Sequence, residues 1–318
     1  MGNKLILICS DISEATTDDV CRWLNYYNKK FIRISNENLI VIKTVIIKNN
    51  EVDIVFEIDD KEYKLSDFDS YWYRRSKLNF EKLNPVEYIY QEINLSDKMN
   101  LFLLNEYDKI TDFFKFKLNQ IAVLNKYEDN NLNKLTVLTV AKEMGIKVPD
   151  TYIVDDFKLL NFNKESYITK AVSDFIIVSE NKSYYSMTQR IDENDGEMMK
   201  KSLIQKEVKK KFEIRSFFFN RTFYSSAIFS QENDKTELDF RNYDFENPNN
   251  IVPFKIPNYI ENKLLKLSDK LGLKSGSFDI AYTFDDEYVL FEVNPVGQFE
   301  QVSGPCNYNL HKLIAQSL

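Results

Sequence analysis

The sequence predicts an α/β protein built from more than one domain. Three observations carry this. Short apolar runs alternate with amphipathic stretches through residues 1–118, the pattern of an open α/β domain. Strand-like runs then dominate from 151 to 230 and again at 276–294, with amphipathic helices at 134–144 and 258–271. Finally, 318 residues that are 43% hydrophobic and 14% aromatic suffice for two or three folded domains and argue against wholesale disorder. No run of about 18 apolar residues occurs, so no membrane-spanning helix is predicted.

Along the chain, Leu5 to Cys9 (LILIC) is a short apolar run, as a buried strand requires. Thr16, Thr17 and Asp18 can cap a helix to about Lys29, with Val20, Trp23, Leu24 and Tyr27 on one face. Phe31 to Ile34 is the next strand, and strands follow at 39–48, 51–58 and 69–75. Pro85 suits a helix start, and the region to about Leu124 reads as helical. Asn131 to Asn133 begins a second unit with an amphipathic helix, Lys134 to Met144, that Gly145 ends. Val148 and Pro149 lead into a strand at Thr151 to Val154, and strands follow at 166–172, 174–179 and 183–188. A third unit has strands at about 203–208, 212–219 and 222–230, then a polar loop, 231–250, with Asp239, Arg241 and Asp244. A helix at 258–271, a hairpin at 276–294 and a helix from about 307 complete it. The predicted domains are 1–118, 119–190 and 191–318.

Charge and cysteine usage exclude several function classes. The 42 Lys and Arg against 49 Asp and Glu leave a net charge of −7, which argues against nonspecific nucleic-acid binding. Cys9, Cys21 and Cys306 are odd in number and lack CxxC spacing, so neither a zinc site nor a disulfide framework is expected, and a reducing cytoplasm is. The first residues lack the long apolar segment and cleavage site of a signal peptide, and Ile6 breaks the myristoylation pattern. With His311 the one histidine, proton chemistry falls to carboxylates, lysines or the substrate.

The sharpest chemical signal lies in the hairpin from Gly276 to Asn294. If its turn is centred between Asp285 and Asp286, Asp279 stands opposite Glu292, and Asn294 shares the Glu292 face. Two carboxylates and an amide oxygen then converge inside an apolar hairpin (Phe278, Ile280, Leu290, Phe291, Val293). Like charges opposite each other destabilise a sheet, and a cation removes that penalty. Hard oxygen donors without His or Cys suit Mg²⁺, which also takes phosphate oxygens. The plain alternative is an exposed hairpin with incidental acids.

A second signal is basic. Residues 200–221 hold Lys200, Lys201, Lys206, Lys209, Lys210, Lys211, Arg215 and Arg221 against Glu207 and Glu213. Such a run is usually a solvated face, yet here it joins two apolar strands. Arg215 lies inside the second strand and suits a phosphate or a carboxylate. Lys170, in an apolar strand, reads as an edge lysine or a phosphate contact.

In order, these motifs resemble the ATP-grasp superfamily. They are Asn133-Lys134 with Gly145 and Val148-Pro149, the strand Lys170, the linker Gln205 to Val208, Glu213-Ile214-Arg215, Asp239-Phe240-Arg241, Asp279 and Glu292 to Pro295. The stretch from Ser70 to Arg75, Asp239 to Arg241 and Glu292 to Phe299 are similar to the graspetide (microviridin-type) peptide macrocyclases, including the grasp-with-spasm maturases. That resemblance implies a three-domain ATP-grasp fold, ATP and Mg²⁺ as cofactors, and a ribosomally made precursor peptide with a leader and an acidic core as partner. It implies ester or amide bonds formed between side chains of that peptide, and homodimers are common among the enzymes it resembles. Carried over, Lys170, Gln205, Lys206, Val208 and Glu213 would bind nucleotide. Arg215 and Arg241 would stabilise phosphate or acyl phosphate. Asp279, Glu292 and Asn294 would hold Mg²⁺, and Lys209, Lys210, Lys211, Arg74 and Arg75 would meet the peptide. One departure is the lack of glycine in 171–190, where many ATP-grasp enzymes carry a Gly-rich loop, and Asp174 to Met187 reads as a plain hairpin. Two other readings are a ligase acting on a free amino acid or protein tail, and a nucleotide-binding regulatory module without turnover.

Overall fold

A computed structural model describes residues 4–124, 126–173, 176–179, 182–185, 188–193, 195, 201–233, 235–240, 242 and 244–318. The chain packs as two compact units, Met1–Tyr127 with Leu310–Leu318, and Glu128–Asn309.

The first unit is built on β1 (Leu5–Ser10), α1 (Ala15–Tyr26), β2 (Phe31–Ile34), β3 (Leu39–Lys48), β4 (Glu51–Ile58), β5 (Lys61–Lys64), β6 (Phe68–Arg75), β7 (Asn79–Phe80), β8 (Ile89–Tyr90), β9 (Ile93–Asn94) and α2 (Ser96–Gln120). The apolar β1 is central in a parallel sheet of order β2-β1-β6, buried as its sequence requires. A second sheet has order β5-β4-β3-β7. Its β4–β5 turn uses Asp59 and Asp60 at φ 47° and 64°, a conformation that suits a two-residue hairpin. The sequence reading did not foresee β5.

Two local expectations are corrected here. Helix α1 is capped by Glu14, whose carboxylate accepts the Thr17 N–H, rather than by Thr16 to Asp18. Pro85 does not start a helix. A short hairpin, β8 and β9, intervenes, turning at Gln91 and Glu92 with φ 48° and 66°, and α2 begins at Ser96.

The second unit contains α3 (Lys134–Glu143), β10 (Thr151–Val154), β11 (Tyr167–Lys170), β12 (Ile176–Ser179), β13 (Lys182–Tyr185), β14 (Gln189–Ile191), β15 (Ser202–Lys206), β16 (Lys210–Phe219), β17 (Thr222–Phe229), β18 (Asn250–Phe254), α4 (Asn258–Leu271), β19 (Ser275–Thr283), β20 (Tyr288–Asn294) and α5 (Glu300–Cys306). Its sheets run β10-β15-β11-β14 and β18-β17-β16-β19-β20. Strands β12 and β13 pair antiparallel inside the stretch read as a hairpin; 174, 175, 186 and 187 at its ends lie outside the described residues. Helices α3 and α4 place Val137, Ala141, Leu264 and Leu267 on Ile214, Phe218, Phe278, Ile280 and Leu290. This packing buries the hairpin that carries Asp279 and Glu292.

Two further corrections belong to this unit and its end. The polar loop ends in an edge strand, β18, whose Pro253 is tolerated because β17 is its one partner. The helix expected from about 307 is α6 (Leu310–Ser317), and an unforeseen helix, α5, precedes it, the two separated where Asn307 and Asn309 both adopt φ 54°. Helix α6 returns to the first unit, where Lys29 Nζ donates to Ala315 O (3.0 Å) and Ser70 Oγ to Leu318 O (3.0 Å).

Candidate active site

The hairpin has the pairing expected at the critical position, but not by the expected turn: the turn is centred on Asp285 rather than between Asp285 and Asp286, and a bulge makes up the difference. Asp279 pairs with Glu292 and Ser277 with Asn294, and a bulge after Asp279 sets Ile280 opposite Leu290. On the other side of β19, Arg215 of β16 is the direct partner of Asp279, and its Nη1 donates to Asp279 Oδ1. Both side chains are buried, so each charge offsets the other. Arg215 therefore takes the carboxylate of the two partners its sequence allowed.

Glu292 is held from three directions. Asn294 Nδ2 donates to its Oε1 (3.0 Å). Lys134 Nζ lies 3.5 Å and Lys170 Nζ 4.0 Å from its Oε2, and Lys170 also donates to Phe291 O (3.5 Å). The penalty expected for opposed carboxylates is thus offset by Arg215, Lys134 and Lys170. Sequence reasoning named Lys134 only as part of a motif. A usable signal was present: Lys134 is the first residue of α3, capped by Asn133, where the helix dipole disfavours a cation.

A cavity of about 430 Å³ brings together Lys170, Gln205, Lys206, Val208, Lys209, Lys210, Glu213, Asp279 and Glu292. That size lies within the range of small-molecule sites. Arg215 and Asn294 adjoin it through Asp279 and Glu292. Arg241 and Lys200 lie outside the described residues. The basic run does not form one face. Lys201 and Lys209 are exposed, Lys206 pairs with Glu165 (2.7 Å), Lys211 with Asp286, and Arg221 with Asp269 (3.0 Å). Lys210 is buried, not surface-facing: its Nζ donates to Leu238 O (3.0 Å) and lies 2.9 Å from Glu213 Oε1. In the first unit Arg74 is buried against Glu14 (3.1 Å), whereas Arg75 is exposed.

The cavity wall is ordered by the sheet. Thr151, Gln205, Ile168 and Arg190 form one cross-strand row over β10, β15, β11 and β14. Lys170 lies two residues along β11 from Ile168, on the same face and roughly 7 Å further. Pro149, Ile168 and Val208 give one end an apolar wall beside the Gln205 amide, while Lys170, Asp279 and Glu292 make the other charged. At the rim, Arg190 pairs with Glu207 (2.7 Å) and Glu237 (3.2 Å), and Thr188 Oγ1 donates to Asp239 Oδ2 (3.1 Å).

Burial pushes the Glu213 carboxyl from an ordinary 4.5 up to about 7, against the pull of Lys210. A carboxyl whose folded value is raised holds its proton longer in the native state, so stability falls as pH rises from the lower value to the upper. That loss amounts to about 3 kcal/mol. Denaturant unfolding of Glu213→Gln is expected to show a flatter pH dependence across this window. Equal slopes for the two proteins would refute it.

No family model matches the sequence, and no curated protein matches it. Solved structures do. A RiPP-associated ATP-grasp ligase of Chryseobacterium gregarium, in complex with ADP and a leader and core peptide, superposes with a TM-score of 0.74 at 20% identity, over 99% of this chain and 95% of that one. The chain has the ATP-grasp fold. Macrocyclase MdnC of Microcystis aeruginosa, bound with precursor peptide MdnA, shares that fold at a TM-score of 0.73 and 18% identity, over 98% of both chains. The ATP-grasp ligase PsnB, complexed with a phosphomimetic variant of minimal precursor, Mg and ADP, aligns at 0.67 and 12% identity over 98% of this chain and 96% of its own. In this ATP-grasp fold the cavity lies wholly within the second unit.

Proposed function

We propose that the chain is an ATP-dependent ligase that activates Asp or Glu side chains of a ribosomal precursor peptide and joins them to Ser or Thr hydroxyls or Lys amines. The observation that carries this is the cavity, with Pro149, Ile168 and Val208 as an apolar wall at one end and Lys170, Asp279 and Glu292 at the other, where Lys134 also reaches Glu292. A nucleotide needs those two ends in that order. The leader, core and precursor peptides bound in structures of similar fold support a peptide substrate.

The donor set fits Mg²⁺ under one condition. Among the described residues no group of three or more His, Cys, Asp or Glu side chains could hold a metal alone. The hairpin offers two carboxylates and an amide, with three cations beside them. Mg²⁺ commonly binds one or two carboxylates plus substrate phosphates, so this site fits the ion together with nucleotide. Asp279, Glu292 and Asn294 would hold it, and when bound it offsets charge on the phosphates.

Most of the remaining roles are those that the resemblance to ATP-grasp enzymes implies. Gln205, Lys206 and Val208 hold the base end, and Glu213 the ribose. Lys134 and Lys170 hold phosphates. Arg215 keeps Asp279 aligned, and Arg241 serves charge developing at the transferring group. The substrate carboxylate oxygen bonds to the γ-phosphorus as the bond to ADP breaks, giving an acyl phosphate. A hydroxyl or amine then attacks the acyl carbon and phosphate leaves with the bonding pair. No enzyme nucleophile is needed, and positioning supplies much of the acceleration. We assign the same reading to the cytoplasm, to a homodimer, and to a division of the chain at 118/119 and 190/191.

Mass spectrometry of a candidate acidic peptide incubated with enzyme, ATP and Mg²⁺ tests the function. Loss of one water per crosslink supports cyclisation. Mass gain would indicate ligation of a second molecule, and ADP release without either product would defeat the peptide reading. The exposed Lys201 and Lys209 are the members of the basic run suited to attract an acidic core. Reversing both to Glu is expected to raise the peptide KM roughly tenfold at low salt, and less at physiological salt, where the Debye length is about 8 Å. An unchanged KM at low salt would leave them a solvated face.

A further inference from the structure

A chain of hydrogen bonds fixes the Gln205 amide at one end of the cavity. Thr151 and Gln205 are direct partners on β10 and β15, so their side chains meet on one face of the sheet. Thr151 Oγ1 donates to Pro149 O (2.9 Å). A carbonyl oxygen can only accept, so the single hydroxyl proton of Thr151 is committed there. What Thr151 Oγ1 offers its neighbour is then a lone pair. Gln205 must meet it with the amide nitrogen, and its Nε2 does so at 2.9 Å. The amide is thereby held in one of its two orientations, with Oε1 directed away from Thr151. Gln205 lines the cavity, so its acceptor is presented there.

A second polar group completes the pattern. Three residues further on, Val208 also lines the cavity, and among the described residues its N–H has no hydrogen-bond partner. The row holding Gln205 also holds Ile168, an apolar wall for a flat ring. Lys170 lies two residues along the same strand, on the side of the carboxylates. A nucleotide whose phosphates lie at Lys170 therefore brings its base to Gln205 and Val208.

We infer that Thr151 is a positioning residue for nucleotide choice: by fixing the Gln205 amide, it makes the cavity accept a purine with an exocyclic amino donor beside a ring-nitrogen acceptor, and reject a 6-oxo purine. This rests on the nucleotide reading of the cavity. Adenine presents a donor to Gln205 Oε1 and an acceptor to Val208 N–H. Guanine and hypoxanthine present the reverse, leaving acceptor against acceptor and donor against donor. Sites built on such pairing discriminate strongly, because the wrong ligand strands buried polar groups. Without the Thr151 hydroxyl the amide can turn over and offer its nitrogen to a 6-oxo group.

Calorimetric titration with Mg²⁺ and ADP, GDP or inosine diphosphate tests this on the intact chain. The wild type is expected to prefer ADP over both oxo purines by at least about tenfold. Thr151→Val should reduce that preference about tenfold, chiefly by gaining affinity for GDP and inosine diphosphate, and Thr151→Ser should restore it. A purely structural role would lower the melting temperature and weaken all three ligands alike. An unchanged preference in a folded Thr151→Val protein would overturn the inference. So would equal binding of ADP and inosine diphosphate by the wild type, a result that needs no variant to fold. If the wild type binds none of the three, the nucleotide reading itself fails and this inference falls with it.

Discussion

Glu292→Gln is expected to lower ATP turnover by roughly a hundredfold to a thousandfold while the protein remains folded. Glu292 lies beside both Lys134 and Lys170, and it faces Asp279 across the hairpin. Neutralising it removes an oxygen ligand of full charge from a set that holds only two. Its hydrogen bond from Asn294 can persist, since a glutamine oxygen still accepts. Lys134 and Lys170 then have more charge available for phosphates. ADP binding should therefore survive but lose most of its dependence on Mg²⁺. The check is steady-state ADP release together with titrations in Mg²⁺ and in chelator. Near-normal turnover in a folded variant would remove Glu292 from the metal assignment.

Arg215→Met should be the most damaging single change to stability at the site, costing about 3–5 kcal/mol. It leaves Asp279 buried without the guanidinium that faces it. The double variant Arg215→Met, Asp279→Leu removes both charges and should recover part of that loss, because the uncompensated carboxylate is gone. Both proteins should be inactive, so the comparison reads packing and charge apart from chemistry. Urea unfolding measures it. A single variant within about 1 kcal/mol of wild type, or a double variant no better than the single, would mean that the ion pair is not what holds this part of the sheet.

How far the site was legible depended on distance along the chain. The Asp279–Glu292 pairing was only partly legible: the strands next to the turn pair about Asp285, Tyr282 with Tyr288 and Ile280 with Leu290, and the bulge between Asp279 and Ile280 shifts the register by one to bring Glu292 opposite Asp279. Asn294 follows from strand alternation alone. Lys134 could not be placed the same way, because α3 reaches Glu292 only through tertiary packing. The same holds for Arg215, whose sequence allowed a phosphate or a carboxylate and whose partner is set by β16 lying beside β19. Surface lysines were the hardest to read. Lys209 and Lys210 are neighbours in sequence, yet one is exposed and the other buried on Glu213, since strand β16 begins at Lys210.

In the fold, continuous apolar runs such as β1 were legible because burial on both faces leaves a composition signature. The hairpin β8–β9 was hidden because Gln91 and Glu92 are not residues that announce a left-handed turn. Strand β18 was hidden by Pro253, acceptable only at an edge that sequence alone does not identify.

The return of α6 to the first unit also sets an order of events at the ribosome. Leu310, Ile314 and Ala315 are buried, and Lys312 lies over the Trp23 ring of α1. The unit that emerges first therefore lacks a wall until residues 310–318 have been made. At bacterial-to-eukaryotic elongation rates the intervening stretch takes roughly 10–40 s to synthesise. For that interval the nascent first unit is open along α1 while the whole second unit is threaded out behind it. Closure is thus a late, long-range event that waits on translation, and the apolar side of α1 is the surface a nascent-chain chaperone would meet.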